Sequence, residues 1–208
     1  MFEVRRASLF YFNHMVTEVS SIPTAWDYNP SSWSQRWPLI VIAVIGFMIA
    51  LYLGLYQLDV IASVWEPFFG NGSEAVLNSK ISKALPVPDA LLGAFSYLLD
   101  AVTGVIGNTR RWRTKPWIVV LFGIATGPLG LTSVLLVILQ PVVVGAWCTL
   151  CLVTAVISIV MISPAMDEVL ASFQYLQRVQ REGYSVWDAF WGKSSVNQSD
   201  NKYVGSHH

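Results

Sequence analysis

The sequence predicts an all-α membrane protein, a four-transmembrane-helix bundle with an extracytoplasmic loop and a short helix as its cap. Of its 208 residues, 54% are hydrophobic and only 12% are charged, against about 25% charged in soluble domains. The mean hydropathy is +0.51. Four apolar stretches approach or reach the length that a helix needs to cross a bilayer. Once these stretches are subtracted, the chain is too short for several domains, so we expect one bundle.

The charge balance and the scarcity of metal ligands exclude several classes of function. Thirteen Lys and Arg against thirteen Asp and Glu give a formal net charge of zero, so no basic field attracts nucleic acid. The chain has two cysteines, and its three histidines lie near the termini. We therefore expect no nucleic-acid partner, no metal site and no scaffold of several disulfides.

The four predicted spans are apolar stretches of helical length, at residues 37–58, 90–106, 117–139 and 142–163. Three of them contain no charged residue. The second has 17 residues and contains Asp100, an ionisable group of a kind that is rare inside membranes. We expect Asp100 to lie near the interface and to pair with Arg110 or Arg111. A role as an intramembrane proton carrier is the alternative.

Cationic residues determine the predicted orientation. Eleven of the thirteen Lys and Arg lie in the N-terminal tail, in the 109–115 loop TRRWRTK or in the C-terminal tail, whereas segment 59–89 has only Lys80 and Lys83. The positive-inside rule places both termini in the cytoplasm and segment 59–89 on the outside of a cell inner or plasma membrane. Without the second span, both lysines and the TRRWRTK loop would share one side, so the pattern also supports that span.

The segments outside the spans have their own predicted roles. Segment 59–89 is long for a loop and contains Trp65, Phe68 and Phe69, which favour the membrane interface, so we expect a lid over the bundle with a short helix within 73–82. Apolar residues from Met166 to Val179 recur at helical spacing and predict an amphipathic helix along the cytoplasmic membrane surface, or docked on the bundle ends. The predicted organisation is a cytoplasmic tail at 1–36, the helical domain at 37–164, and this helix with a disordered tail at 165–208.

The motif Trp147-Cys148-Thr149-Leu150-Cys151 near the outer end of the fourth predicted span indicates redox chemistry. Residues three apart on a helix share a face, with β-carbons close enough for a disulfide. A thiol at a helix N-terminus has a lowered pKa and therefore supplies the thiolate that thiol exchange requires. Pro141 and Gly145 allow a regular helix to begin close to Cys148. Two small apolar side chains packed in a bundle are the alternative interpretation.

A dithiol placed in the membrane near its oxidising side suggests a lipid-soluble electron acceptor. Quinones partition into the bilayer, accept two electrons and require an apolar slot with one or two hydrogen-bonding groups. We expect a quinone, ubiquinone or menaquinone, to be the substrate.

At this point the sequence resembles the vitamin K epoxide reductase family, whose bacterial members are quinone-linked disulfide-forming proteins. The resemblance covers about residues 37–164 and depends on the spans, the long first loop, AVLNSKISKALPVPDALLGAFSY and WCTLC. It implies a four-helix bundle around a quinone, in which Cys151 exchanges electrons with the quinone and Cys148 passes the disulfide onward. The candidate quinone-binding residues are polar or aromatic side chains near this site, namely Asp89, Trp147, Asn78 and Ser79.

The sequence departs from the family at three places. Typical members have two further cysteines in the first outer loop, and Trp65 and Ser73 stand about where they would be expected. Asp89 replaces an Asn that in animal members hydrogen-bonds a quinone oxygen, and Ala155 replaces a Tyr. Without the loop cysteines, either a partner thiol attacks the Cys148–Cys151 disulfide directly, or a separate protein supplies the relay, or the domain has another role.

The predicted function is therefore that of a membrane thiol:quinone oxidoreductase, which passes electrons from an extracytoplasmic thiol–disulfide protein through Cys148 and Cys151 to a quinone. The alternative is a non-enzymatic membrane module that binds a quinone or a partner subunit and keeps its cysteines as a structural pair. A small transporter is a third interpretation, which no detectable inverted repeat supports.

Overall fold

The computed structural model describes residues 22–23, 26–80, 82–83 and 86–193, and every regular element within these ranges is helical. The predicted disordered tail from residue 194 onward and most of the N-terminal tail lie outside the described residues. The helices, numbered here in chain order, are α1 (Trp33–Gln57), α2 (Gly72–Leu77), α3 (Asp89–Val105), α4 (Arg111–Thr114), α5 (Pro116–Leu139), α6 (Thr149–Arg181) and α7 (Val186–Phe190), with a π-helical turn at Gln140–Val144.

The four long helices form a closed ring. Helix α1 packs on α3, α3 on α5, α5 on α6, and α6 back on α1. Helix α2 lies at one end of the ring, against the π-helical turn and the start of α6, and we call this the cap end. Helix α4 lies at the opposite end, where α1 begins and α3 stops, and we call this the basic end.

Three helices are long and apolar enough to cross a membrane: Trp33–Gln57, the continuous stretch Pro116–Val144, and Thr149–Arg181. The protein is thus a helical membrane protein. Helix α3, the predicted second span, has only 17 residues. Its outward face is nevertheless apolar, since Phe95, Leu98 and Val102 are all exposed there as on the other ring helices. The fourth crossing stays a prediction.

Small residues hold α1 and α3 close together, as at many helix contacts in membranes. Ala43 and Ala50 of α1 are buried against Ala94 of α3. Gly46 lies beneath the Tyr97 ring, and a β-carbon at Gly46 would lie only 2.8 Å from Tyr97 Cε1. This close approach directs Tyr97 to the centre of the ring of helices, where its hydroxyl donates to the Thr154 carbonyl at 2.7 Å.

The fourth predicted span began at Val142, and the structure corrects this start to Thr149. The reason is local: α5 continues through the π-helical turn to Val144, and Gly145 then ends the turn with a left-handed φ of +70°. A left-handed backbone favours glycine, and it reverses the chain here. As a result Cys148 becomes the N-cap of α6 instead of an interior residue of the span.

The helix does not end at residue 163, where the predicted span ends, because α6 continues unbroken to Arg181. The expected surface helix after residue 165 is therefore the continuation of α6. Its buried face, with Tyr175 and Leu176, packs on Trp112 of α4 and Ala189 of α7. This packing agrees with the alternative in which the segment docks on the bundle ends.

The expected ion pair between Asp100 and Arg110 or Arg111 is not formed as predicted. Arg111 is fully buried and pairs through both carboxylate oxygens with buried Glu168 of α6. Its Nη1 also donates to the Thr103 carbonyl near the end of α3. Asp100 instead lies inside the ring of helices, where it meets Thr126 of α5. The long arginine side chain reaches the carbonyls that the end of α3 leaves unpaired, and those carbonyls orient it away from Asp100.

Candidate functional site

Cys148 and Cys151 occupy the first turn of α6 at the cap end, and both are free thiols. The Cys148 sulfur accepts the Cys151 main-chain N–H at 3.2 Å and so serves as the side-chain cap of the helix. The Cys148 main-chain N–H donates to Gln140 Oε1 at 3.1 Å. Cys148 is 0% exposed. The two cysteines are therefore held one helical turn apart at the start of α6, and the Cys148 sulfur is covered.

The pKa of the Cys148 thiol is lowered from its usual value. The largest cause is a hydrogen bond with the Cys151 side chain, and burial opposes it. Smaller contributions come from the Ser73 hydroxyl and the Cys151 main-chain N–H, which lower the pKa, whereas the negative charge of Glu66 raises it. The N-terminal end of a helix also favours a negative charge. Cys148 is thus the cysteine of the pair whose pKa its hydrogen bonds lower.

Glu66 ties the first loop to the start of α6. Its carboxylate accepts the Thr149 main-chain N–H at 2.9 Å and also the hydroxyls of Thr149 and Ser73. Burial alone would raise its pKa, but these bonds, with that from the Phe68 N–H, lower the pKa to about 2. The carboxylate is therefore ionised at neutral pH and joins three segments around Cys148.

Helix α2 covers Cys148 through very close backbone contact. A β-carbon at Gly72 would lie 2.1 Å from the Trp147 carbonyl oxygen, so only glycine fits there. The next residue, Ser73, is fully buried; its hydroxyl donates to the Glu66 carboxylate and lowers the pKa of the Cys148 thiol. The short helix predicted within 73–82 is present but ends at Leu77. Ser73, which stands about where one family cysteine is expected, thus lies directly beside Cys148.

A cavity of about 190 Å³ fills the centre of the ring below the cysteines. Its wall is mostly apolar, with contributions from α1, α3, α5 and α6. Polar side chains line it along its whole length. Those near the cap end are Ser79, Ser82, Asp89 and Gln140, beside Cys151, and the others are Ser96, Tyr97, Asp100, Thr126, Thr132, Ser133, Thr154 and Ser158.

Asp89 lies at the first turn of α3, where the helix dipole favours a carboxylate. Its Oδ1 accepts from Gln57 Nε2 at 2.6 Å, from the Ser82 hydroxyl at 2.7 Å and from the Ala90 N–H at 2.9 Å. Three protein donors thus converge on one oxygen. At this position the chain supplies a hydrogen-bonded carboxyl group in place of an amide.

The structure brings together some of the predicted site residues and separates others. Cys151, Asp89 and Ser79 line the cavity. Asn78 is outside the lining; its side chain donates to the Tyr56 hydroxyl at 2.9 Å and accepts from Lys83 Nζ at 3.0 Å. Trp147 is also outside it, 37% exposed and with its ring 6.5 Å from that of Phe69. A role of these two residues in quinone binding stays a prediction.

Sequence reasoning missed Gln140 and Glu66 as site residues. Gln140 is the only polar side chain between Ser133 and Trp147, and a buried amide in such an apolar run is itself a signal. It accepts the Cys148 main-chain N–H and lines the cavity together with Cys151. Glu66 has no comparable signal, because Thr149, the partner that brings it to the cysteines, is 83 residues away in the chain.

One comparison with known proteins assigns the chain to a family. The model of the vitamin K epoxide reductase family matches residues 37–165, more than half of the chain. Comparisons with curated proteins and with solved structures found no match. Among the described residues, no group of three or more His, Cys, Asp or Glu side chains is arranged to hold a metal ion.

Proposed function

This chain belongs to the vitamin K epoxide reductase family, and from that premise we propose that it is a membrane thiol:quinone oxidoreductase. Electrons pass from an extracytoplasmic dithiol through Cys148 and Cys151 to ubiquinone or menaquinone. The observation that supports this most directly is the position of Cys151, which lines the central cavity while its main chain holds the Cys148 sulfur. Cys151 thus faces the cavity in which we place the quinone, and Cys148 lies under the cap.

The reaction is a two-electron exchange. Starting from a Cys148–Cys151 disulfide, a partner thiolate attacks Cys148, forms a mixed disulfide and releases Cys151 as a thiolate. The partner's second thiol then displaces Cys148, so the partner leaves oxidised and the pair is reduced. When Cys148 and Cys151 form their disulfide again, the two sulfur atoms lose two electrons. These electrons reduce the quinone in the cavity to quinol.

Access to Cys148 is the particular requirement of this chain. Ser73, the Glu66 carboxylate and the Gly72–Trp147 contact together bury the sulfur that the partner must attack. The cap must therefore open for each exchange. The natural reductant is accordingly a protein that displaces the cap, or a separate relay protein that does so.

The test is anaerobic quinol formation by purified protein in detergent, with a small dithiol and a short-chain quinone. We expect Cys148→Ser and Cys151→Ser each to abolish the protein-dependent rate. A sample without protein measures direct chemical reduction, and Ser172→Ala, a buried small-residue change away from the cysteines, is the matched control. Retention of the rate in either cysteine variant would eliminate the mechanism.

The second candidate is a quinone-binding or partner-binding module without turnover. The observation that favours it is that the chain has only two cysteines, of which Cys148 is fully buried. This candidate predicts saturable quinone binding that both cysteine variants retain, with no quinol above the control.

A further inference from the structure

Four aromatic rings form a continuous group at the basic end of the molecule, and we call them the aromatic platform. The rings of Trp187, Phe190 and Trp191, in and just after α7, lie 5.5–6.2 Å from one another. The Trp191 ring also lies 5.9 Å from that of Trp117, at the start of α5. Trp187 is 67% exposed and Trp191 is 49% exposed. A contiguous apolar surface of this kind marks a site of interaction.

Close packing on both sides of α7 fixes the platform in place. Ala189, on the inner face of α7, is 1% exposed in the core that α4 and the end of α6 form. After α7, Gly192 adopts a left-handed φ of +75°, and a β-carbon there would lie 2.0 Å from the Thr114 carbonyl oxygen. The chain therefore holds Trp191 against Trp117, and the outward rings belong to a fixed surface.

Trp117 lies on the outward apolar face of α5. Leu121 and Ile124 follow it by four and seven residues, so they share its face, and both are exposed. Exposed apolar residues continue along α5 to Ile138, 21 residues beyond Trp117. At 1.5 Å per residue this distance is about 32 Å, close to the roughly 30 Å of the hydrocarbon core of a bilayer. Trp117 thus stands at one end of a membrane-spanning face.

Helix α1 marks the same boundary independently. Its outward apolar face begins at the basic end with exposed Trp37 and continues through exposed Val41, Val44 and Met48 at helical spacing. Tryptophan is enriched where a membrane meets water, because its ring is apolar and its N–H is polar. Trp37 and Trp117 therefore indicate where the membrane ends at the basic end.

Helix α6 passes this boundary before the chain returns to it. Gly123 of α5 packs against Val169 of α6, so these two residues are level with each other. Trp117 lies six residues from Gly123, whereas Arg181 lies twelve residues from Val169. Helix α6 consequently ends about 9 Å beyond the level of Trp117. Gly183 then reverses the chain with a left-handed φ of +80°, and α7 leads back to Trp117.

We propose that the aromatic platform is a membrane-interface anchor, whose rings lie among the lipid headgroups and the first acyl carbons. Lipid is the occupant because the platform adjoins the outward apolar face of α5 at the level where the membrane ends. The exposed cations Lys115 and Arg181 at the same end suit phosphate headgroups. The interfacial element is therefore α7, whereas the sequence pattern predicted it at residues 166–179. This inference does not depend on the redox function.

The experiment measures the surroundings of one side chain in a bilayer. Trp187→Cys, in a Cys148→Ser/Cys151→Ser background, receives a nitroxide label in the full-length protein, reconstituted into vesicles of phosphatidylcholine and phosphatidylglycerol. Oxygen concentrates in lipid and a nickel complex in water, so the ratio of their effects on the relaxation of the label reports its depth. Labels at Leu121→Cys, on the outward face of α5, and at Gln180→Cys, exposed near the end of α6, are the references for lipid and water.

We expect the ratio at position 187 to lie closer to that at 121 than to that at 180. A ratio closer to that at 180 would place the platform in water and overturn the inference. A label that neither reagent reaches would show that a protein partner or a second copy of the chain covers the platform, and it would overturn the inference as well.

Brominated lipids test the native ring. The emission that Trp187 contributes is the difference between the wild type and Trp187→Phe, and the matched control is the difference for Trp112→Phe, because Trp112 is buried at the same end. We expect lipids brominated near the headgroup end of their acyl chains to remove most of the Trp187 contribution and little of the Trp112 contribution. Equal quenching of the two contributions would contradict the anchor.

Discussion

At the scale of single residues, Glu66 controls how well Cys148 is covered. Replacing it with Gln removes the charge from its bonds to Thr149 and Ser73, and a partly exposed bond of this kind contributes about 1 kcal/mol. We therefore expect Glu66→Gln to raise the reaction rate of Cys148 with a small pyridyl disulfide roughly fivefold. Mass spectrometry locates the modified cysteine. The control is Glu74→Gln on α2, whose carboxylate approaches only the Val64 N–H, at 3.4 Å.

Acid should reproduce the effect of that substitution. The pKa of Glu66 is lowered from 4.5 to about 2, so its contribution to the closed cap is complete above pH 4.5 and is lost as the pH falls towards 2. We expect Cys148 modification, corrected for the reactivity of a model thiol, to rise across this window in the wild type. In Glu66→Gln the corrected rate should stay flat. An equal rise of the corrected Cys148 modification rate in both proteins would show that a group other than Glu66 causes it.

The site residues that the sequence singled out and those it missed differ in how local their signal is. The spacing of the cysteine pair singled it out, and the family resemblance singled out Asp89. Asp100 was expected to meet an arginine, but Arg111 is held by Glu168 and by the carbonyls at the end of α3. Glu66 and Ser73 act on Cys148 from the loop, and no periodicity in one chain segment encodes such a contact.

At the scale of elements, the fit of α2 on the start of α6 depends on one glycine. A methyl group at Gly72 would overlap the Trp147 carbonyl, and a backbone atom cannot swing aside. We expect Gly72→Ala to loosen α2, with a cost of about 1–3 kcal/mol and faster modification of Cys148. Gly127→Ala in α5 is the control, since nothing lies within 4 Å of a β-carbon there. Equal modification rates in the two variants would contradict this account of the cap.

The predicted ends of helices are close to the observed ones where the sequence changes from polar to apolar residues, and far from them where it does not. Helix α1 extends only a few residues beyond its predicted start, because charged and polar residues flank it. The stretch from Trp117 to Ser163 is almost uniformly apolar, so hydropathy placed the break at Pro141. The chain reverses at Gly145 instead, after a π-helical turn, since proline is tolerated there and the left-handed backbone needs glycine.

At the scale of the whole molecule, one buried network joins parts of the chain that are far apart. The Glu168 carboxylate accepts from the Ser31 hydroxyl and from Arg111, which also donates to the end of α3. Removing one partner leaves the other charge buried and alone, which costs about 3–5 kcal/mol. We expect Glu168→Gln to lower the melting temperature in detergent sharply. The double variant Arg111→Met/Glu168→Met should recover most of the lost melting temperature. If the double variant melts no higher than Glu168→Gln, the pair does more than balance charge.

The number of crossings is the remaining property of the whole molecule, and it depends on α3. If α3 crosses, Lys80 and Lys115 lie on opposite sides of the membrane; if it does not, they share a side. Two features favour a crossing: the apolar outward face of α3 and the ring that it completes between α1 and α5. We expect Lys80→Cys, in a Cys148→Ser/Cys151→Ser background, to react with an impermeant maleimide in intact cells, and Lys115→Cys to react only after the membrane is opened. The parent without cysteines controls for background labelling. Equal labelling of both positions in intact cells would show that α3 does not cross the membrane. The central cavity would then not be a site that a quinone enters from the bilayer.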